Sequence, residues 1–213
     1  MSLIKCPECN NEISDQTERC QFCVHSIKKP KRELKKKQIV ITICVILFIA
    51  VAIFISYSFY ASKKEEKTYA ANFSQAISTM QLSTSDAEEI GDLVHDVWYN
   101  SIFDKYDDST IQYMGTDFNE SLTNLFSDEE FEEKLYKLNE SKESVTNYMK
   151  LLSSPPEKYK ESYSALKDYY TSYSTFVNLV SNPDGSLTSF TASYNNAKSN
   201  VESCYSSIEI YIN

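Results

Sequence analysis

Nineteen consecutive residues, Ile39 to Tyr57, carry no charge. As a helix rising about 1.5 Å per residue they would extend roughly 28 Å, close to the hydrocarbon thickness of a bilayer. The core helix of a soluble protein keeps a polar face, and this segment has none. The stretch 38–61 therefore reads as one transmembrane helix. The segments on its two sides then lie in different solvents.

The flanks give the orientation. Lys28, Lys29, Lys31, Arg32, Lys35, Lys36 and Lys37 precede the span with only Glu33 opposing them, whereas Lys63, Lys64 and Lys67 come after it among Glu65 and Glu66. An excess of Lys and Arg marks the cytoplasmic side, so the N-terminus is expected in the cytoplasm and the C-terminal part outside the cell membrane. Lysines and arginine of the 28–37 linker, beside the span, are expected to contact anionic lipid head groups, each gaining about 1 kcal/mol. A cleaved signal peptide also has a basic region before an apolar run. Here the run is too long, 37 residues precede it, and Ser58-Phe59-Tyr60-Ala61 lacks a small-x-small cleavage site, so an uncleaved signal anchor is the better reading.

Charge divides along the same line. Residues 1–37 hold nine basic and five acidic side chains, and residues 61–213 hold twelve basic and twenty-five acidic ones. An exported part with net charge −13 disfavours nucleic acid and anionic lipid as its partners. Its roughly 150 residues are enough to bury a core. Only three glycines occur, and apolar residues recur at helical rather than alternating spacing, which speaks for an all-α domain and against a β-sandwich.

At the N-terminus, Cys6-Pro7-Glu8-Cys9 is followed by Cys20-Gln21-Phe22-Cys23. Two Cys-x-x-Cys turns let four thiolates converge tetrahedrally, the geometry zinc takes in structural sites. A disulfide pair or a redox dithiol is the competing chemistry. The expected cytosolic location is reducing, and a redox motif needs no second copy. A segment of about 27 residues cannot hold itself together by apolar burial, so Cys6, Cys9, Cys20 and Cys23 are expected to fold 1–27 around zinc. His25 is read as a surface residue, since four cysteines already close the site.

These residues resemble the short zinc ribbon, built of two zinc knuckles, at the N-terminus of many bacterial membrane proteins, especially of Gram-positive type. The resemblance covers residues 4–24. Asn10 and Val24 stand where that family has glycine. The resemblance implies a cytosolic zinc ribbon, a single span and a variable exported domain that carries the individual function. Some zinc ribbons bind nucleic acid. Residues 1–27 set only Lys5 and Arg19 against Glu8, Glu12, Asp15 and Glu18, a poor phosphate binder, so a protein-docking or stabilising role is favoured.

In 62–213 the patterning predicts helices. Ala61 to Ser83 contains neither proline nor glycine and carries Tyr69, Phe73, Ala76, Ile77 and Met80 on one face. Ser85-Asp86-Ala87-Glu88 has capping-box spacing and predicts a second helix starting at Ser85, with an apolar face Ala87, Ile90, Val94, Val97, Trp98 and Ile102. Gly91 beside that face is expected to admit a neighbouring helix closely. Phe118, Leu122, Leu125 and Phe126 suit a short helix, and Ser127-Asp128-Glu129-Glu130 repeats the capping spacing before Phe131 to Leu152. Pro155-Pro156 ends that helix. Tyr159, Tyr163, Leu166, Tyr170, Tyr173, Val177 and Val180 form the next stripe. After the turn Asn182-Pro183-Asp184-Gly185, the last stripe runs from Leu187 to Tyr211 through Cys204, expected there as a buried free thiol. Cys44 falls inside the span. Heptad stripes joined by short turns predict an antiparallel helical bundle.

Candidate catalytic groups are sparse. His95 with Glu88 and Asp92 follows i, i+4, i+7 spacing on one helix, suited to a metal or to acid-base chemistry, though helices commonly carry such residues on a solvated face. Asp104, Asp107 and Asp108 lack the loop of an EF-hand. No phosphate loop, nucleophile elbow or His-Glu-x-x-His sequence occurs in the exported part. Tyr99, Tyr113, Tyr136 and Tyr169, off the main stripe, are expected on a partner surface. The reading is non-enzymatic: a partner-binding exported domain, with a possible cytosolic partner for the ribbon. A wall-active enzyme using His95, or a nucleic-acid regulator acting through the ribbon, are the alternatives.

Overall fold

The structure, a computed structural model, describes residues 2–27 and 33–212, apart from the side chains of 33–36. The proposed lipid contacts Lys28, Lys29, Lys31 and Arg32, and the side chains of Lys35 and Lys36, lie outside the described residues; Lys37 is exposed. The chain divides into two compact units, 1–60 and 61–213.

The first unit begins with a two-stranded antiparallel ribbon, β1 (Leu3–Lys5) and β2 (Glu12–Ser14), in which Ile4 faces Ile13. Its helical part belongs to α1 (Glu33–Phe103), a helix of 71 residues. Within α1 one apolar stretch is long enough to cross a membrane, and none of it is buried against the rest of the protein. Two of its hydroxyls are satisfied within the helix. Thr42 Oγ1 donates to the Gln38 carbonyl and Ser56 Oγ to the Ala52 carbonyl, 2.9 and 2.8 Å away.

The second unit is all-α. It consists of α1 beyond Ala61, α2 (Phe118–Phe126), α3 (Glu129–Leu151), α4 (Lys160–Ser181) and α5 (Leu187–Glu209), with 3-10 turns at Ile111–Tyr113 and Glu157–Tyr159. Side-chain contacts fix the directions. Tyr69 meets the Leu152 carbonyl and Glu89 meets Lys134, so α1 and α3 run antiparallel. Tyr69 against Tyr159 and Ser83 against Tyr173 set α4 parallel to α1. Trp98 against Phe190 and Glu88 against Lys198 set α5 antiparallel. The result is an up-down-up-down bundle with α2 against Trp98 and Phe131 at one end, through Phe118 and Phe126.

The expected second helix at Ser85 is corrected. The chain passes through Ser83 to Ser85 without leaving the helix, and the segment 61–83 and the expected second helix are one. No glycine or proline interrupts the segment before Gly91. The Ser83 and Thr84 hydroxyls turn back to the carbonyls of Thr79 and Met80, as they do inside helices, instead of capping a new one. The cap of α3 also moves by one residue. Asp128 accepts from the Phe131 N–H at 3.0 Å, while Ser127 terminates α2. At α5, Ser186 and Ser189 form a reciprocal capping box.

Gly91 does what its position suggested: a Cβ there would run into the Tyr194 ring and lie 2.9 Å from Val180 Cγ1. Two tyrosines expected on the surface are core residues. Tyr169 and Tyr113 are buried, whereas Tyr99 and Tyr136 are exposed as expected. On α4 the buried face widens from one stripe to two adjoining ridges, taking in Tyr169 and Phe176 and leaving Tyr159, Tyr163 and Tyr170 half-buried. The reason is that α4 packs on three neighbours, α1, α3 and α5, and three neighbours cover a wider arc than one seam.

Candidate metal centre

The ribbon's cysteines sit on two turns of one design. The Cys6 N–H donates to the Asn11 carbonyl and the Asn10 N–H to the Cys6 carbonyl, both at 3.0 Å. Fourteen residues on, the Cys20 N–H donates to the His25 carbonyl at 2.8 Å and the Val24 N–H to the Cys20 carbonyl at 2.9 Å. The flanking pair Lys5 with Glu12 recurs as Arg19 with Ser26. Asn10 and Val24 occupy the same place in the two turns, and both adopt left-handed backbone, φ 59° and 61°. That conformation is the reason glycine suits the position. Asparagine adopts it readily, while a β-branched valine carries strain of about 1–2 kcal/mol.

The repeat brings four sulfurs together. Cys6 Sγ lies 3.6 Å from Cys23 Sγ and Cys9 Sγ lies 3.5 Å from Cys20 Sγ. All four lie within 4.8 Å of one another. A disulfide requires about 2.05 Å between sulfurs, so the thiols are not bonded in pairs. A tetrahedral ion with bonds of about 2.3 Å to sulfur would hold its ligands about 3.8 Å apart, which this set accommodates. Cys6, Cys20 and Ile13 are buried, Cys9 is half-buried and Cys23 is exposed.

Backbone amides favour thiolate. The N–H groups of Cys9 and Glu8 lower the pKa of Cys6 against the effect of burial. At Cys20 burial opposes ionisation, but the N–H groups of Phe22 and Cys23, aided by the neighbouring thiols, bring it to about 6. For Cys23 the His25 N–H favours the thiolate, yet the partial desolvation of its sulfur and the three other sulfurs outweigh it and raise it to about 12. Four thiolates this close would repel one another, and a bound cation would relieve that repulsion. His25 is not among the ligands; its Nδ1 lies 3.8 Å from Glu8 Oε1 on the other turn.

The remaining candidates do not converge. Among the described residues, the four cysteines are the one group of three or more His, Cys, Asp or Glu whose ligand atoms come together. Glu88 accepts from Lys198 Nζ at 2.8 Å, and Asp92 accepts from the Tyr194 hydroxyl at 2.6 Å. His95 instead meets Asp96, its neighbour, at 3.1 Å. Glu88 and Asp92 thus fasten α5 to α1. Burial, with Asp92 as acceptor, holds the Tyr194 phenol in its protonated form, and Glu88 raises the pKa of Lys198. In the Asp104 loop, Asp107 accepts from the Ser109 N–H and hydroxyl, an Asx turn that occupies its carboxylate. Cys204 is half-buried rather than fully so, with its sulfur 3.2 Å from Ser172 Oγ. Cys44 is exposed on the apolar stretch.

Sequence reasoning found the four cysteines but missed how the two turns repeat. The signal was present in the fourteen-residue offset between Cys6-x-x-Cys9 and Cys20-x-x-Cys23. Comparison with protein-family models, with curated protein sequences and with solved structures yields no match for this chain.

Proposed function

We propose that this is a single-span membrane protein in which a cytosolic structural zinc ribbon is joined to an extracytoplasmic helical bundle that binds a partner of the cell envelope without catalysing a reaction. The observation that carries the reading is the apolar stretch of α1 that nothing in the protein covers. Exposing that much hydrocarbon to water is untenable for a soluble monomer, and a bilayer removes the cost. The excess of Lys and Arg before the stretch supports an N-terminus inside the cell.

For the ribbon, an all-sulfur donor set at tetrahedral spacing favours zinc over harder cations. Cys6, Cys9, Cys20 and Cys23 would hold it, and zinc bound by four thiolates supplies cross-linking rather than reactivity, having no open position. The ribbon of a Gram-positive type membrane protein is the module it resembles. Absence of catalysis is supported by the bundle's carboxylates: Glu88 and Asp92 are occupied in helix packing instead of facing a shared cleft. A sensing role belongs to the same proposal.

Topology is the decisive test. In intact cells, a membrane-impermeant thiol reagent should fail to label Cys23, and external protease should remove the bundle while leaving a protected fragment of the ribbon and the apolar stretch. Labelling of Cys23 from outside would overturn the orientation. Recovery of the whole chain in the soluble fraction would overturn the span. Photo-crosslinking from Tyr136 in intact cells should trap an envelope component.

A further inference from the structure

Resting on the reading of the bundle as a binding module, we infer that the ridge formed by His95, Tyr99, Ile102 and Phe103 is a docking surface for a basic segment of a partner protein, one in which Arg or Lys alternates with apolar residues. The ridge lies off the buried face of α1: Val94, Val97 and Trp98 turn into the core, yet Tyr99, Ile102 and Phe103 are 45%, 47% and 65% exposed. The rings pack on one another despite the exposure. His95 stacks on Tyr99 with centroids 6.1 Å apart, and Tyr99 packs on Phe103 at 4.8 Å. By the 100° step of a helix these four side chains share an arc of about 100°, with Asp92 within it and Asp96 at its edge. Tyr106, in the loop beyond, is 86% exposed.

Charge selects the occupant. From Thr68 to Glu133 the chain has fifteen Asp and Glu and, among Lys and Arg, only Lys105. Lys105 Nζ is engaged with the Thr116 carbonyl, 2.9 Å away. Exposed aromatic faces rimmed by carboxylates suit Arg and Lys, whose stems and cationic heads lie over rings while the heads pair with carboxylates. Length agrees. His95 to Phe103 extends about 12 Å along α1, matching about four residues of an extended peptide, and alternate side chains of such a peptide lie about 6.6 Å apart, close to the ring spacing. An apolar residue between each pair of cations would cover Ile102 and Phe103.

The test uses the full-length protein in nanodiscs of zwitterionic phosphatidylcholine and a fluorescent peptide of alternating arginine and leucine, read by anisotropy. The peptide should bind, and substituting glutamate for its arginines should abolish binding. Tyr99→Ala with Phe103→Ala should weaken binding at least about tenfold with an unchanged melting temperature, because both side chains are exposed. Asp96→Asn with Asp104→Asn should weaken it comparably. Glu132→Gln with Glu133→Gln, the same charge removed from α3, should change it less than about twofold. Wild-type affinity in the ridge variant overturns the inference, as does equal loss from the α3 variant, which would mean unspecific attraction. Binding of soluble wall glycan fragments at the ridge in place of the peptide also overturns it. If Tyr136 crosslinking still captures an envelope component while ridge variants behave as wild type, the docking inference fails and the broader reading stands.

Discussion

In the ribbon the buried core consists of Cys6, Cys20 and one aliphatic residue, Ile13, whereas the bundle buries Tyr169, Tyr173, Phe176, Phe190 and more than a score of other apolar side chains. The contrast shows two ways to make a fold unique. Three buried residues cannot offset the conformational entropy of about 26 ordered ones, so the ribbon is the region whose geometry would depend on the metal proposed for its four sulfurs. The bundle needs no such clamp. Its specificity lies in shape, with Gly91 cut to the Tyr194 ring and polar ties such as Ser83 to Tyr173 set between helices.

Breaking the clamp is the largest effect expected. If the proposed zinc is the ion held, Cys20→Ser should abolish stoichiometric metal in the purified protein and leave the amides of 2–27 exchanging at unfolded rates, since structural zinc supplies about 10–16 kcal/mol to small folds. The bundle's melting temperature should not move. Protected ribbon amides in that variant would show that burial suffices after all. The converse experiment is Phe176→Ala, which empties a fully buried site. It should cost about 3–5 kcal/mol and lower the bundle's melting temperature by roughly 6–20 °C, with zinc retention unchanged.

Two smaller substitutions probe how each region reaches its shape. Gly91→Leu should destabilise the bundle by about 1–3 kcal/mol, and Tyr194→Ala in the same chain should recover part of that loss by making room, a coupling measurable in a double-mutant cycle. In the ribbon, Val24→Gly should relieve left-handed strain and improve retention of metal against a chelator by about fivefold, equivalent to about 1 kcal/mol. Asn10→Gly at the matching place should change it by a few tenths of a kcal/mol at most. If the two behave alike, the strain at Val24 is absent.

The smallest effect is a pH dependence confined to the bundle. Burial, with the nearby Tyr163 and Tyr159 phenols, pushes Tyr69 up to about 12, and burial raises Tyr173 as well. A raised phenol pKa favours the protonated folded state. The contribution is therefore complete below the ordinary value of about 10 and is lost as pH climbs toward about 12. Urea midpoints should fall across that window, and Tyr69→Phe should flatten the fall.

Much of this architecture was written in local patterns. The four cysteines, the uncharged run from Ile39 to Tyr57, the break at Pro155-Pro156 and the turn from Asn182 to Gly185 each act within a few residues, so reading them needs no partner. Other features depended on what lay opposite. Ser85-x-x-Glu88 spells a helix start, yet Glu88 was drawn to Lys198 across the bundle and the backbone stayed helical. Tyr169 looked like surface because one seam was assumed for α4, and three packing neighbours made it core. Likewise Glu88, Asp92 and His95 share a helix face by spacing, but α5 claimed the first two and left His95 to Asp96. Periodicity alone determined that these segments would be helices with apolar faces. How wide each face is, which polar groups it occupies and whether a cap forms were decided by tertiary packing, because those choices are settled by competing partners distant in the chain.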